Sequence, residues 1–400
     1  MSCSLKYIDL FAGCGGLSTG LRAAGWRGIF AVERNASAFL TLKANLIDKQ
    51  GHFDWPEWLP VTNWDIKDLL DQKSNELVRL KGKVELIVGG PPCQGFSSAG
   101  RRREGDERNK LVHSYLNFVE LVRPRAILFE NVRGFTMKFK ANREAGVAYS
   151  QLVLQRLHDL GYNDAKGELL DMSDYGVPQR RQRFIVVATR ENLAGDFFAL
   201  LSQRRAGYLA ERGIPLRNSV KSALSDLQRR HGEVACSDSP GFQSGVVSRI
   251  TSGLQRYLRT SPTRGMPDSH RFVNHTDEVQ AVFARLLASA PRNCSICGAE
   301  RDEYGLKKRS VTVLAGSKTA PTVTTIPDDL IHYSEPRVLT VRECARLQTF
   351  PDWFEFKGAY TTGGKERTRQ TPRYTQVGNA VPPLFAELAG QAFREVLSDG

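Results

Sequence analysis

The sequence predicts an α/β fold with a doubly wound sheet. Short apolar, β-rich runs alternate with helix-like stretches from Lys6 to about Thr189, a glycine-rich turn joins the first strand to the first helix, and reactive polar residues follow the apolar runs. In such a sheet the strand ends meet at one edge, where ligands bind. The 400 residues exceed the ~100 to 200 typical of one domain, so we expect a second module.

The first predicted strand, Lys6–Phe11, runs into the turn Ala12–Gly16 and then into a helix from about Leu17. A second strand, Gly28–Val32, ends at Glu33, about 20 residues after the glycines, where a carboxylate commonly binds ribose hydroxyls. The turn lets a ligand approach the backbone at a helix N-terminus, which fits an adenosine-containing cofactor. Tight packing of strand on helix is the alternative interpretation, because a glycine-rich turn alone is weakly specific.

The most reactive side chain lies in the run Gly89–Ser97, directly after the apolar stretch Val84–Val88. Pro91 and Pro92 fix their own φ angles and remove two backbone donors, so the chain leaves the strand along a defined path. Cys93 would then be presented at the tip of a buried strand as a nucleophile. A strand-ending turn with a small buried cysteine is the alternative.

Charged groups accompany two later apolar runs. The stretch Ala126–Val132 carries Glu130, and a carboxylate in an apolar cleft could act as an acid near neutral pH. Arg181 and Arg183 precede the strand-like Phe184–Ala188 and would point the same way at a strand edge, where guanidinium groups can hold a carbonyl oxygen or a phosphate. The alternatives are a solvated acid that closes a strand and arginines that discourage edge-to-edge pairing.

The last informative segment, Tyr374–Pro383, leads into a helix-like stretch, Leu384–Leu397. Asn379 lies in this segment and is a candidate ligand contact. The alternative is a loop before a docking helix, with no ligand role for Asn379.

These segments occur in the order used by DNA (cytosine-5) methyltransferases, and the chain resembles a bacterial member of that family. The matching segments are Asp9–Gly16, Pro91–Gln94, Glu130–Val132, Gln179–Arg183, Arg337–Pro351 and Gln376–Asn379. Any one of them could arise by chance, but six in the family's order make coincidence a poor explanation. The resemblance implies a Rossmann-like, S-adenosylmethionine-dependent large domain and a smaller target-recognition domain.

The resemblance also implies roles for individual residues. The catalytic residues would be Cys93, Glu130, Arg181 and Arg183. The residues that bind S-adenosyl-L-methionine would be Phe11, Gly13, Gly16, Glu33, Asp65, Pro92, Leu111, Asn379 and Ala380. No metal is implied. Two departures from the family pattern are Arg34, where an aromatic residue often follows Glu33, and Cys14 inside the glycine turn.

The implied domains are a catalytic and cofactor-binding domain over residues 1–190, a target-recognition domain over 191–371, and a segment over 372–400 that completes the catalytic domain. Double-stranded DNA is the implied partner and would lie in the cleft between the two domains. We expect a monomer. A companion restriction endonuclease that acts separately is compatible with the resemblance, but no residue identifies one.

The charge of the chain agrees with a polyanionic partner. The formal net charge is +13 and the sequence pI is about 9.5. Basic residues recur in clusters where phosphate contacts are expected, namely Arg101–Arg103, Arg204–Arg205, Arg229–Arg230, Lys307–Arg309 and residues 365–373. Basic charge alone is not specific, since a soluble protein can simply carry it.

Neither a membrane helix of about 18 uninterrupted apolar residues nor a signal-peptide pattern is present, so we expect a cytoplasmic protein. Seven cysteines in so long a chain do not suggest a disulfide framework. Cys294 and Cys297 form a C-x-x-C pair that would need two further ligands to bind zinc. Cys236, His270 and His275 are candidates at irregular spacing.

The cytosine ring explains why the implied reaction needs a thiol. Carbon 5 is a poor nucleophile, and addition of the Cys93 thiolate at carbon 6 makes an enamine whose carbon 5 can attack a methyl sulfonium. Glu130 would act at ring nitrogen 3, and Arg181 could hold the ring oxygen. The base must be flipped out of the duplex, and the segment Phe96–Asn109 is expected to close over the DNA.

Two other functions are weighed against this one. A tRNA cytosine-5 methyltransferase would share the chemistry but typically carries a shorter recognition lobe. A non-catalytic DNA-binding relative would keep the fold, although intact Cys93, Glu130 and Arg181 argue against it. An amino-group methyltransferase is disfavoured, because those enzymes place an acidic residue or Asn before the two prolines and an aromatic residue after them.

Overall fold

The computed structural model describes residues 5–92, 109–137, 148–259, 266–306, 310–361 and 370–398. These residues form two compact units. Unit 1 comprises the described parts of residues 1–171, 182–205 and 385–400, and unit 2 those of residues 172–181 and 206–384. The predicted division into residues 1–190, 191–371 and 372–400 concerns functional roles and stays a prediction.

A six-stranded sheet forms the centre of unit 1. Its strands are β1 (Lys6–Leu10), β2 (Arg27–Val32), β3 (Leu86–Gly89), β4 (Ala126–Val132), β5 (Lys166–Asp171) and β6 (Gln182–Thr189). Their order is β2-β1-β3-β4-β6-β5. Neighbours from β2 to β4 are parallel, whereas β6 is antiparallel to both β4 and β5.

The strand order reverses between β1 and β3. From β1 the chain moves outward to β2, and it then returns past β1 to form β3. An open α/β sheet binds ligands beyond the carboxyl ends of its strands at such a reversal. Leu10 and Gly89, the paired last residues of β1 and β3, mark this point. The predicted glycine turn and the predicted nucleophile segment therefore both begin at the reversal.

Apolar residues on both faces explain why these strands lie at the centre. All four residues of β3 are buried, as are Ala126 to Phe129 of β4, and such continuous apolar runs are typical of strands covered on two sides. The core around them includes Ile8, Leu10, Phe30, Ile87, Tyr115, Phe118, Val119, Ile127, Phe129, Phe184 and Val186. The strand ends thus project from a tightly packed platform.

Short helices connect the strands of unit 1. The helix α1 (Gly16–Ala23) follows β1, and α2 (Ala36–Leu42) follows β2 and continues into a π-helix, Lys43–Lys49. The further helices are α3 (Ile66–Gln72), α4 (Ser74–Val78), α5 (Asn109–Val122) and α6 (Tyr149–Asp159), with a 3-10 turn at Arg133–Thr136. The helix α7 (Ala194–Glu211) begins in unit 1 and ends in unit 2, which also contains the 3-10 turn Met172–Tyr175.

Unit 2 contains small sheets and short helices. A two-stranded antiparallel ribbon and a three-stranded mixed sheet are formed by β7 (Glu233–Ala235), β8 (Gln243–Gly245), β9 (Ser295–Cys297), β10 (Ser310–Val313) and β11 (Leu330–Ile331). Its helices are α8 (Val220–Leu224), α9 (Gly253–Leu258), α10 (Asp277–Ser289), α11 (Gly298–Glu303), α12 (Val341–Leu347) and α13 (Arg373–Asn379). The 3-10 turns are Arg229–His231 and Pro327–Asp329.

The helix α12 is buried along its whole length and begins with a capping box between Thr340 and Glu343. Arg337 donates two hydrogen bonds to the Glu343 carboxylate, at 2.8 and 2.7 Å. Burial raises the pKa of this carboxyl, but the Arg337 charge and hydrogen bonds outweigh burial and lower it to about 2. The matching segment Arg337–Pro351 is therefore fixed by a paired buried charge.

The last helix, α14 (Pro383–Ser398), packs within unit 1 from residue 385 onward. Trp26 donates its indole N–H to the Gly390 carbonyl at 2.8 Å, and Arg394 donates to the carbonyl of Ala24 at 2.8 Å. Among the described helices, none is long and apolar enough to cross a membrane.

Candidate active site

Two glycines, Gly89 at the end of β3 and Gly90 directly after it, lie where an added Cβ would come too close to a neighbouring atom. A Cβ at Gly89 would lie 2.5 Å from a main-chain oxygen of β1, and a Cβ at Gly90 would lie 2.8 Å from Glu130 Oε2. The next residues are tied to β4, because Asn131 donates its side-chain amide to the Pro91 carbonyl at 3.3 Å. The start of the predicted nucleophile segment therefore packs directly against Glu130.

Cys93 lies outside the described residues, as do residues 94–108, which include most of the segment predicted to close over the DNA. The basic clusters Arg101–Arg103 and Lys307–Arg309 also lie outside them. Pro92, the last described residue before Cys93, is exposed. The structure therefore describes the chain that leads to the predicted nucleophile, up to Pro92, and not Cys93 itself.

Glu130 lies near the end of β4 with a cation beside it. The Arg183 Nε lies 2.6 Å from Glu130 Oε1, and the two side chains are 12% and 13% exposed. Arg183 faces Val132 across the β4–β6 pair, which makes it the diagonal neighbour of Glu130 on the same face of the sheet. The sequence predicts an apolar cleft around this carboxylate, and the structure instead places a guanidinium there. Together the two groups offer an acceptor beside donors, which suits hydrogen bonds to a planar ring.

Arg181 makes different contacts from Arg183, although it is a near neighbour in sequence. It belongs to unit 2 and is only 2% exposed. Its guanidinium donates to the carbonyls of Gly378 at 2.8 Å and Val323 at 3.4 Å. The two arginines thus have different partners, and whether they point the same way from the strand stays a prediction, because β6 begins at Gln182.

Gln179 and Gln348 extend these contacts into a buried network, which we call the α13 clamp together with Arg181. Gln179 donates to Gln348 Oε1 at 2.9 Å. The Gln348 amide donates in turn to the carbonyls of Val377 at 2.9 Å and Ala380 at 3.3 Å. Both glutamines are fully buried, and the Gln348 amide is the one that donates to these carbonyls. The clamp therefore fixes the carboxyl end of α13.

Glu33 ties the end of β2 to the glycine turn. Its two carboxylate oxygens accept the main-chain N–H groups of Gly13 at 2.9 Å and Asn35 at 2.6 Å. Burial raises the pKa of Glu33, and these two hydrogen bonds oppose the rise. Gly13 has φ +56°, and nothing lies within 4 Å of where its Cβ would be, so the space beside the turn is open. Phe11 also has a positive φ, of 58°.

A second carboxylate, that of Asp9, is fully buried between β1 and α1. The Ser18 hydroxyl donates to Asp9 Oδ2 at 2.5 Å, and Oδ1 has no hydrogen-bond partner among the described residues. Burial raises the pKa of Asp9 to about 7, although the Ser18 hydrogen bond opposes the rise. The motif contains Asp9, but nothing in its pattern gives the carboxylate a role.

The other residues predicted to bind the cofactor occupy several elements. Asp65 caps α3, where its carboxylate accepts the Lys67 N–H at 2.9 Å. The remaining ones are Gly16 in α1, Pro92 after β3, Leu111 in α5, and Asn379 with Ala380 at the end of α13. Asn379 is exposed. The role of each in binding stays a prediction.

Two of the candidate zinc ligands, Cys236 and His270, form hydrogen bonds with other groups of the protein. Cys236 donates to Asp238 at 3.1 Å, and the His270 ring lies 2.9 Å from the Thr340 hydroxyl and 2.8 Å from a main-chain carbonyl. In the part of the chain that the structure describes, no group of three or more His, Cys, Asp or Glu residues is arranged to hold a metal ion. Cys294 and Cys297 are both exposed.

The sequence profile described as C-5 cytosine-specific DNA methylase matches residues 5–394. The chain belongs to this family. It is 30% identical to the type II methyltransferase M.XorII of Xanthomonas oryzae pv. oryzae, over 98% of this chain and 84% of that protein. It is 29% identical to the type II methyltransferase M.DdeI of Desulfomicrobium norvegicum, over 96% of this chain and 87% of that protein.

A solved structure also resembles this C-5 cytosine-specific DNA methylase. A protein described as a DNA modification methyltransferase encoded within a prophage (E. coli) aligns with a TM-score of 0.66 at 26% identity, and covers 99% of this chain and 100% of its own. The family match confirms the resemblance, the α/β fold class and the assignment as an enzyme. Sequence reasoning missed the clamp role of Gln348, whose only signal is its place in a matched motif.

Proposed function

We propose that this chain transfers a methyl group from S-adenosylmethionine to carbon 5 of a flipped-out cytosine within a specific double-stranded DNA sequence, through a covalent adduct of Cys93. The observation that carries the proposal is the Glu130–Arg183 pair, packed against Gly90 shortly before Cys93. Membership of the C-5 cytosine-specific DNA methylases and the similarity to type II methyltransferases support DNA as the substrate.

The residues around the glycine turn fit S-adenosylmethionine. The open space at Gly13 admits a ligand close to the backbone, and the Glu33 carboxylate lies beside it, where it could accept ribose hydroxyls. Asp65, Asn379 and Ala380 are further proposed contacts. When bound, the cofactor supplies an electrophilic methyl group.

The Glu130–Arg183 pair can support the addition step. The Cys93 sulfur forms a bond to carbon 6, and the displaced electron pair moves toward ring nitrogen 3 and the ring oxygen. Glu130 offsets this charge by a hydrogen bond or proton at nitrogen 3, and Arg183 holds the ring oxygen. We assign the oxygen to Arg183, because its guanidinium lies beside Glu130, whereas two nitrogens of Arg181 donate to the carbonyls of Gly378 and Val323.

The remaining steps return the enzyme to its starting state. The methyl group would pass to carbon 5 as its bond to the sulfonium sulfur breaks, which leaves S-adenosylhomocysteine. The carbon 5 proton is then lost to a base, and β-elimination breaks the bond between carbon 6 and the Cys93 sulfur. The cytosine must leave the duplex first, because a stacked base cannot be reached, and flipping costs a few kcal/mol.

Trapping the adduct tests the proposal. In DNA that carries 5-fluorocytosine the fluorine cannot leave as a proton does, so a methylated, denaturation-resistant adduct should accumulate with S-adenosylmethionine. Cys93→Ser should abolish this adduct, while Cys294→Ser, which changes an exposed cysteine of unit 2, should leave it intact. Gel mobility and mass spectrometry of the adduct provide the measurement. An undiminished adduct in Cys93→Ser would refute the assignment.

Bisulfite sequencing distinguishes DNA from tRNA as the substrate. DNA and tRNA from a methylation-free host that expresses the chain would be sequenced together. The proposal requires protected cytosines in one short DNA sequence and none added in tRNA. Protection of tRNA alone would move the function to the alternative substrate.

A further inference from the structure

Three chain segments of unit 2 lie side by side, joined by main-chain hydrogen bonds. They are residues 176–180, 217–221 and 316–322. Arg180 donates its N–H to the Ala320 carbonyl at 2.8 Å, and Val220 donates to the Lys318 carbonyl at 2.9 Å. The segment 316–322 is thus hydrogen-bonded to both of the others, and Asn218 of the second segment donates its side-chain amide to the Gly176 carbonyl of the first at 2.9 Å.

Each of these segments carries an exposed cation, and we call Arg180, Lys221 and Lys318 the cationic surface. None of the three forms an ion pair with another described residue. The three segments contain no acidic residue, and Arg217 of the second segment is already paired with Asp174 at 2.5 Å. The cationic surface therefore carries positive charge that the described acids do not neutralise.

The main chain that carries these cations is fixed. The Thr322 hydroxyl donates to the Arg180 carbonyl at 2.7 Å, and Lys221 donates its N–H to the Gly316 carbonyl at 2.8 Å. Ala320 and Val220 are fully buried and anchor two of the segments. A partner that binds here need order only the side-chain ends, which lowers the entropic cost of binding.

We propose that the cationic surface binds the phosphodiester backbone of the DNA substrate. The proposal rests on the proposed function, which makes DNA the substrate. Cations spread over three adjacent segments match a row of phosphates better than one small anion, which would need donors that converge on a point. Such contacts position a duplex without reading its sequence, so they should serve cognate and non-cognate DNA alike.

The salt dependence of DNA binding tests the cationic surface. The triple variant Arg180→Gln, Lys221→Gln and Lys318→Gln should make the slope of log K against log salt shallower by about 2 to 3, because each phosphate contact contributes about 0.9. The loss of affinity should be equal for a duplex with the methylated site and for one without it. Fluorescence anisotropy with both duplexes at several salt concentrations gives the slopes.

The matched control removes the same charge elsewhere in unit 2. Arg285→Gln, Arg301→Gln and Lys357→Gln together should change the slope by less than 1, because Arg301 and Lys357 already pair with Asp302 and Glu355. Equal slope changes in both triple variants, or an unchanged slope in the first, would overturn the proposal.

Two further measurements separate folding and function from this proposal. Calorimetry with S-adenosylmethionine should show unchanged affinity in the triple variant, and if that variant does not fold, the single variants at Lys221 and Lys318 each carry an expected slope change of about 0.9. Wild-type protein that methylates no DNA would refute the proposed function. Wild-type methylation combined with an unaltered slope in the variants would refute the cationic surface alone.

Discussion

Glu130 and Arg183 illustrate how strand pairing places two residues that are far apart in the sequence. Their separation of 2.6 Å follows from the antiparallel register of β4 and β6, which puts Arg183 opposite Val132. A guanidinium beside a carboxylate keeps both groups oriented before a substrate arrives. In the proposed mechanism, the pair would therefore be oriented before the cytosine ring arrives.

The first residue-scale prediction concerns Glu130→Gln, which keeps the size of the side chain and removes its charge. Turnover should fall by roughly 10²- to 10⁴-fold, as expected for loss of a group that handles a proton in the transition state. The affinity for S-adenosylmethionine should change little. Single-turnover kinetics and calorimetry measure the two quantities separately.

Glu33→Ala should show the opposite pattern to Glu130→Gln, with cofactor affinity more affected than turnover. The reason is that the Glu33 carboxylate lies at the glycine turn, whereas Glu130 lies near the end of β4. Cofactor affinity should fall first in this variant. If Glu130→Gln lost cofactor binding instead of turnover, Glu130 would belong to the cofactor site.

The second residue-scale prediction concerns the pH dependence that Asp9 gives to stability. Its pKa is raised by burial from 3.8 to about 7, so between these values the folded protein holds a proton that the unfolded chain releases. The free energy of unfolding should therefore fall as the pH rises through this window, by up to about 1.4 kcal/mol per pH unit. Asp9→Asn should remove this slope, as measured by urea unfolding from pH 4.5 to 7.5.

Asp54 is the matched control, because its pKa is shifted the other way. Burial raises that pKa, but the hydrogen bonds and charges of Arg27 and Lys6 together lower it overall. Asp54→Asn should remove stability that is present above the ordinary carboxyl pKa and lost as the pH falls. A constant difference between wild type and Asp9→Asn across the window would contradict the raised pKa.

At the scale of elements, the α13 clamp shows how three buried side chains can position an exposed one. Arg181 and Gln348 donate to main-chain carbonyls near the carboxyl end of α13, Gln179 donates to Gln348, and Asn379 at that end is exposed. A helix end needs partners for its last carbonyls, and buried amides supply them here. The clamp therefore holds the segment predicted to bind the cofactor.

The element-scale prediction concerns Gln348→Glu, which keeps the shape of the side chain but removes both donors. The carbonyls of Val377 and Ala380 would then face a carboxylate, at a cost of about 1 to 3 kcal/mol. Affinity for S-adenosylmethionine should fall about tenfold or more, as measured by calorimetry.

The control for this prediction disturbs another buried network of unit 2. Arg346 is fully buried and binds Asp226 and Asp352, away from α13. Arg346→Lys should lower the melting temperature without a comparable loss of cofactor affinity. If both variants lost affinity in proportion to their melting temperatures, the clamp would be a stability element only.

Elements were predictable from sequence where one physical signal dominates. The apolar run 126–132 coincides with β4, and the predicted strand 28–32 lies within β2, because continuous β-branched and aromatic residues specify buried strands. The partners of Arg181 were not predictable, since Val323 and Gly378 lie far along the chain. The partners of Gln348 were not predictable either, because they lie on another helix.

At the scale of the whole molecule, the chain passes between the two units at four points, after residues 171, 181, 205 and 384. One of these points falls inside the segment Gln179–Arg183, so Arg181 and Arg183 belong to different units. Analysis of the sequence alone assigns neighbouring residues of one motif to a single site. It cannot show where the chain passes from one unit to the other. The cationic surface was also not predicted, because its three segments are distant from one another in the sequence.

The Trp26–Gly390 hydrogen bond joins residues 364 positions apart. A ribosome that adds 5 to 20 residues per second needs roughly 20 to 70 s to travel between them. During that time Leu21 and Ala24, which lie next to Gly390 in the folded protein, lack this packing partner. Unit 1 can finish folding only after nearly the whole chain has been translated, so we expect nascent chains to remain inactive until α14 leaves the ribosome.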